Sequence, residues 1–177
     1  MAKPFGNMPS AICFNQMNQT FTPHFALATL ADLDALVELN ALAFEGDERQ
    51  NGKGPASYKN PPWHQNALTH HHYFKMLLGQ DLVGGMVVVD KEEGHYFLDT
   101  IFIGPAYQDL GLGQKAMRFL EHAFPQAKRW SLVTPHKSYR NHHLYQKLGY
   151  QKTGEKFLGD QPGMAEDFTL FFYEKLL

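Results

Sequence analysis

The sequence predicts an α/β (α+β) fold: a single mixed, mostly antiparallel sheet of about six to seven strands with helices on both faces. Three observations point there. The chain has 177 residues, 44% of them hydrophobic and 19% charged, which suits one domain with a substantial core. Strand-like runs come first, joined by short turns, and from Ile103 onward helical and strand-like runs alternate. Two glycine-marked junctions, at Gly111 and Gly149, fall where a helix should open and where one should stop.

The elements follow in order. Residues 1–20 are polar and aperiodic and read as an N-terminal extension, ahead of one domain over 21–177. Pro23 to Thr29 reads as a first strand. Thr29 is then a candidate N-cap with Asp32 at N3, opening a helix whose apolar face runs through Leu33, Leu36, Val37 and Leu42 to Phe44. The glycines, prolines and charges of Gly46 to Pro62 read as a long loop, and Trp63 to His71 as a short helix. Tyr73 to Leu78 and Leu82 to Asp90 flank Gly79-Gln80-Asp81 as a hairpin, and His95 to Ile103 supplies the next antiparallel strand. A helix from Gly111, a strand at Trp130 to Thr134, a helix ending at Gly149, a strand from Tyr150 and a last strand at Asp167 to Tyr173 complete the chain.

Gln108-Asp109-Leu110-Gly111-Leu112-Gly113 carries the first functional signal. A glycine-bearing loop that opens a helix presents unpaired N–H groups and the positive end of the helix dipole, a natural seat for phosphate. Gly111-Leu112-Gly113-Gln114-Lys115-Ala116 also fits the dinucleotide pattern G-x-G-x-x-A. That pattern needs a tight turn directly off a strand and an acidic residue closing the next strand. Gly104 to Leu110 separates strand from glycines here, and the next strand ends in Pro135-His136. The nicotinamide reading therefore fails on both requirements.

A second motif, Leu144-Tyr145-Gln146-Lys147-Leu148-Gly149-Tyr150, ends a helix and leads into a strand. With the Gln-x-x-Gly-x-Gly loop before it, the chain over roughly residues 22 to 176 resembles the GNAT superfamily of acyl-CoA-dependent N-acyltransferases. The resemblance implies a sheet whose fourth and fifth strands, here Tyr96 to Ile103 and Trp130 to Thr134, splay apart to admit the pantetheine arm of acetyl-CoA. It also implies cofactor contacts from the main chain of Ile101, Phe102 and Ile103, from Gln108, Asp109, Leu110, Gly111, Leu112, Gly113 and Gln114, and from Ser138 or Asn141. Many relatives have an asparagine at the Ser138 position, and Ser138 also reads as a helix N-cap. Asp109-Leu110 departs from the pattern, since relatives usually carry glycine and a basic residue there. A carboxylate repels pyrophosphate, so Asp109 is expected to turn outward or to cap the helix.

Acyl transfer to an amine needs a neutral nitrogen, a stabilised oxyanion and a proton for the departing thiolate. The resemblance makes Tyr145 the acid, because a phenol with an ordinary pKa of about 10 is protonated at neutral pH. Asp99, on the strand bordering the acyl group, is the first-ranked base. Glu45, Asp47 and Glu48 fall in the stretch that lines the acceptor pocket of such enzymes, and Glu45, Glu48 and His136 are taken as substrate-side residues. The acceptor is expected to be a primary amine, with a lean toward a cationic small molecule or peptide amine. A non-catalytic acyl-CoA-binding or regulatory module on the same scaffold is the alternative.

Composition narrows the rest. His70-His71-His72 and His142-His143 are consecutive, so their side chains diverge, and no metal is expected. Residues 1–100 hold six Lys/Arg against eleven Asp/Glu, whereas residues 101–177 hold ten against seven. The basic half carries the phosphate loop, with Lys115, Arg118, Lys137 and Arg140 as contributors to its field. Nothing has the cationic density of a nucleic-acid surface. No apolar run approaches the ~20 residues of a membrane span, residues 1–20 lack a secretory h-region, and Cys13 stands alone, so a cytoplasmic protein is expected. Homodimers are frequent in the family it resembles, but no interface is legible in the sequence.

Overall fold

A computed structural model describes residues 22–177; the predicted extension lies outside the described residues. β1 (His24–Leu27) is shorter than the expected strand. The Thr29 N–H donates to Asp32 Oδ2 at 2.8 Å, as a capping box requires, but the turn it caps is a 3-10 turn, Leu30–Asp32, and α1 (Leu33–Asn51) follows it. α1 runs straight through Gly46, where a loop was expected, and stops at Gly52 in the left-handed conformation (φ 84°). α2 (Pro61–His70) starts with Asn60 accepting the Trp63 N–H at 3.2 Å.

β2 (His72–Leu78) and β3 (Asp81–Asp90) form the predicted hairpin, and β4 (His95–Ile103) pairs antiparallel with β3. α3 (Leu112–Ala123), β5 (Arg129–Pro135), α4 (Tyr139–Lys147), β6 (Gln151–Phe157) and β7 (Thr169–Leu176) follow. The seven strands lie in the order β1-β2-β3-β4-β5-β7-β6, with β4 and β5 as the parallel pair.

Side-chain alternation buries both faces of this sheet. Phe74, Met86, Val88, Tyr96 and Leu98 pack with Leu112, Ala116, Met117 and Leu120 of α3. Their neighbours Tyr73 and Val87 point the other way, onto Leu36 of α1 and Ala67 of α2. Truncating the fully buried Leu36 to alanine would remove methylenes from that second layer, a change that costs about 2–5 kcal/mol in well-packed cores.

β4 holds the feature that opens the site. Val88 pairs with Leu98 and Val87 with Thr100, so Asp99 is an extra residue with no partner, a β-bulge. The insertion reverses side-chain parity. Tyr96 and Leu98 face the α3 layer before it, and Ile101 and Ile103 do so after it, with Phe102 opposite. The same bulge marks where β4 leaves β5. Their pairing ends at Leu98–Leu132, although β4 stays on β3 to Ile103 and β5 stays on β7 to Pro135. The sheet is therefore parted between 99–103 and 133–135, as the predicted splay requires.

Candidate active site: a two-chambered cleft in the parted sheet

The first chamber is a cavity of about 830 Å³ between the free edge of β4, the start of α3 and the start of α4. Ile101, Phe102 and Ile103 line it, with Gln108, Asp109, Gly111, Leu112, Gly113, Gln114, Ser138, Asn141 and Tyr145. All of these are residues the sequence motifs single out. Leu110 is the exception: it does not line the chamber and packs against the core instead.

Main-chain accounting separates the three β4 residues. The Gly104 N–H donates to Val83 O, so the antiparallel ladder next engages Phe102 with Gly85. Ile101 and Ile103 consequently turn their N–H and C=O groups toward the gap left by β5. Gln108 Nε2 already donates to the Ile103 carbonyl, at 3.1 Å. Phe102 shapes the wall, while its polar groups stay in the sheet.

At the other end of the chamber, Gly111 takes φ 72° as N-cap of α3, a conformation that suits glycine. The first intrahelical bond there is Lys115 N–H to Gly111 O, which leaves the N–H groups of Leu112, Gly113 and Gln114 without helical partners. Asp109 is itself left-handed, φ 63°, which accounts for glycine at that place in related sequences. Its carboxylate turns to Arg140, whose Nη2 lies 2.6 Å from Oδ1, while Arg140 Nη1 donates to Gln108 Oε1 at 3.1 Å. The Asp109 side chain is 83% exposed, so it turns outward as expected, where a cation of α4 pairs with it; it does not cap the helix.

The second chamber, about 570 Å³, lies beyond the bulge. Asp99, Thr100 and Ile101 form one wall and Leu132 to Pro135 of β5 the facing one, with Phe168, Leu170 and Phe172 behind. Five residues border both chambers: Phe44, Asp47, Ile101, Asn141 and Tyr145. Tyr145 is buried among Tyr150 and Tyr173, with ring centroids 6.0 and 5.9 Å away. Burial, and secondarily Tyr173, pushes its phenol above the ordinary tyrosine range, so it stays protonated. Its hydroxyl has no hydrogen bond to another described residue and opens on the junction. Ser138 holds the N-cap position of α4 without a side-chain cap bond and lines only the first chamber. Asn141, one turn before Tyr145, reaches both.

Among the acids the structure differs from the sequence-based choice. Glu45 and Glu48 line neither chamber: Glu45 sits 3.9 Å from Arg49, and Glu48 accepts the Tyr58 hydroxyl at 2.6 Å with Lys59 at 3.6 Å. Asp47 is the acid of this helix that faces the site. Because α1 continues past Gly46, Asn40, Phe44, Asp47 and Asn51 share one face at helical spacing, and that face looks inward. Carrying the helix across one glycine would have found it. Desolvation raises the Asp47 carboxyl above the usual range, opposed in part by its own main chain. Asp99 is raised by desolvation too, with His71 and Lys91 pulling it back; its side chain is exposed on the second chamber only. His136 does not line either chamber. Its Nδ1 lies 3.1 Å from Thr169 N, and Asp167 stands 3.8 Å from its Nε2.

Known proteins with this architecture can now be set beside it. The model of the Acetyltransferase (GNAT) family matches residues 33–150, and the chain belongs to that family. Similar solved structures include the ribosomal-protein-S18-alanine N-acetyltransferase from Escherichia coli, with a TM-score of 0.70 and 13% identity, covering 88% of this chain and 94% of that one. An acetyltransferase from Thermus thermophilus has a TM-score of 0.69 at 18% identity, over 89% and 99% of the two chains. At such identities the likeness is one of fold. A curated relative, the uncharacterized protein YrkN of Bacillus subtilis strain 168, is 30% identical over 73 residues, which span 41% of this chain and 40% of that protein.

Proposed function

We propose that this protein is an N-acetyltransferase that takes the acetyl group from acetyl-CoA and passes it directly to a primary amine. The observation that carries the reading is the junction of two chambers at a buried, protonated tyrosine. One chamber has the unpaired N–H groups of a helix start and a free strand edge, a donor set suited to a pyrophosphate and to the amides of a pantetheine arm. Bound there, acetyl-CoA would supply the thioester. The other chamber, bearing Asp47 and Asp99, suits the amine.

The roles follow from position. Leu112, Gly113 and Gln114 N–H groups hold the pyrophosphate, and Arg140 adds positive charge at its edge. Ile101 and Ile103 main-chain groups orient the arm, and an N–H of this strand edge stabilises the carbonyl oxygen as it gains charge. Asp47, at the junction, accepts the proton that an ammonium must lose before attack. Asp99, open to solvent on the same chamber, carries it outward. As the C–N bond forms and the C–S bond breaks, Tyr145 donates its proton to the sulfur and recovers one from the nitrogen. The lone Cys13 supports a reducing, cytoplasmic setting.

The test is a screen for thiol release from acetyl-CoA against amines of several classes, run beside thermal shift with CoA. The reading expects CoA to stabilise the protein and at least one amine class to release thiol. Stabilisation by CoA with no release from any class would instead define an acyl-CoA-binding module. Stabilisation by NADH and not by CoA would overturn the cofactor assignment.

A further inference from the structure

The second chamber is specific enough to say what kind of amine it takes, and four features converge on one class. Its roof is closed by a contact between the end of α1 and the loop joining β6 to β7. The Ala165 N–H donates to the Asn51 carbonyl at 2.9 Å. Gly52, at φ 84°, packs so closely that a Cβ there would collide with the Gly163 carbonyl oxygen. The volume, about 570 Å³, falls in the range of small-molecule pockets.

The walls are apolar: Leu132 from β5, Leu170 and Phe172 from β7, and Met164 and Phe168 from the roof loop. The charged lining is balanced among the described residues, with Asp47 and Asp99 against Lys53 and Lys156. A polyamine gains nothing from a chamber whose charges cancel. Finally, three residues lining it carry a side-chain oxygen that is buried without a hydrogen-bond partner: Asn51 Oδ1, Thr100 Oγ1 and Thr134 Oγ1. Their residues are 1%, 6% and 2% exposed. Buried polar atoms are rarely left unpaired. Rotation of these side chains would present the three oxygens to the N–H groups of a single polar head.

We propose that the acceptor is a compact primary monoamine with an apolar body, such as an arylalkyl or branched alkyl amine, engulfed whole in this chamber. The inference rests on the N-acetyltransferase reading and narrows its acceptor. The bond changes are those already described, and no further reactant is needed. It departs from the cationic acceptor that the acidic first half of the sequence suggested.

The experiment is steady-state thiol release by the full chain with acetyl-CoA and, at matched concentrations, phenethylamine, isoamylamine, spermidine and a peptide with a free N-terminus. The expected result is a kcat/KM for the better apolar amine at least about tenfold above spermidine and the peptide, the size a well-matched apolar pocket gives. Preference for spermidine or the peptide overturns the acceptor inference and leaves the enzyme reading standing. CoA binding with no turnover of any class overturns both. Thr134→Val, which keeps shape and removes one unpaired oxygen, is expected to raise the KM of the apolar amine several-fold and leave the KM of acetyl-CoA unchanged. An unchanged amine KM in that variant, with the CoA thermal shift intact, would contradict the recognition of the head by these oxygens.

Discussion

Two residues decide how the proposed chemistry runs, and each is set by its surroundings. Tyr145 is held protonated by burial, so its donor capacity persists across the neutral range. Asp47 is raised by desolvation, so it is a better proton acceptor than an exposed carboxylate but loses that ability at a higher pH. Below its raised pKa it is protonated and cannot take the ammonium proton; above it, it can. The acid limb of kcat/KM is therefore expected above the ordinary carboxylate range, and Asp47→Asn should lower kcat/KM by about 10²–10⁴, the usual contribution of a positioned base. Glu45→Gln, on the outer face of the same helix, should leave the pH profile where it was. A profile that moves with Glu45 and not with Asp47 would reverse the assignment. This distinction was not legible from the sequence, because Gly46 looked like the end of a helix. Gly46 is tolerated there because a helix-interior glycine costs only about 1 kcal/mol and α1 is 19 residues long.

Among the elements, the start of α3 and the start of α4 act as the two jaws of the first chamber, tied by Arg140 to Asp109 and Gln108. The ion pair is exposed, 58% and 83% for the two side chains, and exposed pairs contribute little, so under the proposed function Arg140 can exchange Asp109 for a phosphate. Asp109→Gly removes both a carboxylate beside the pyrophosphate seat and a side chain in a left-handed conformation. It should lower the KM of acetyl-CoA by about two- to fivefold at low salt, with a smaller gain at high salt; a raised KM would mean that Asp109 orders the loop. The motif was legible because glycine positions follow from backbone conformation. The bulge at Asp99 was not, since Leu98 to Ile103 alternates acceptably with or without an inserted residue.

A second element-level consequence concerns the connection between α1 and α2. His64 Nε2 donates to the Ser57 carbonyl at 3.0 Å, and its Nδ1 accepts the Tyr73 hydroxyl at 2.8 Å, all buried. Desolvation holds His64 below its ordinary value of 6.5, against a smaller opposing effect of the Ser57 bond. The folded protein keeps it neutral where the unfolded chain takes up a proton. Between those two values the unfolded state binds more protons, so stability falls as pH drops below the ordinary histidine range. Urea unfolding at descending pH should show that loss, and His64→Gln should flatten it; a wild-type stability constant through the histidine range would refute the buried neutral imidazole.

At the scale of the whole molecule, the fold was read correctly from the order of its elements, and two glycine-punctuated motifs named residues that the structure gathers around the first chamber. Local patterns encode both. The second chamber was not legible, because it is assembled from the end of α1, the loop joining β6 to β7, and strands β4, β5 and β7, which meet only in three dimensions. Its apolar, charge-balanced lining could not be summed from residues spread between Phe44 and Phe172. The parted sheet relates these pieces, since it places the helix-start chamber and the apolar chamber on either side of a protonated phenol. The most direct measurement is kcat for thiol release from acetyl-CoA by Tyr145→Phe beside wild type, with CoA thermal shifts for both. The account predicts equal shifts and a kcat lowered by about 10²-fold or more, as for loss of a general acid. Equal shifts with an unchanged kcat would contradict it.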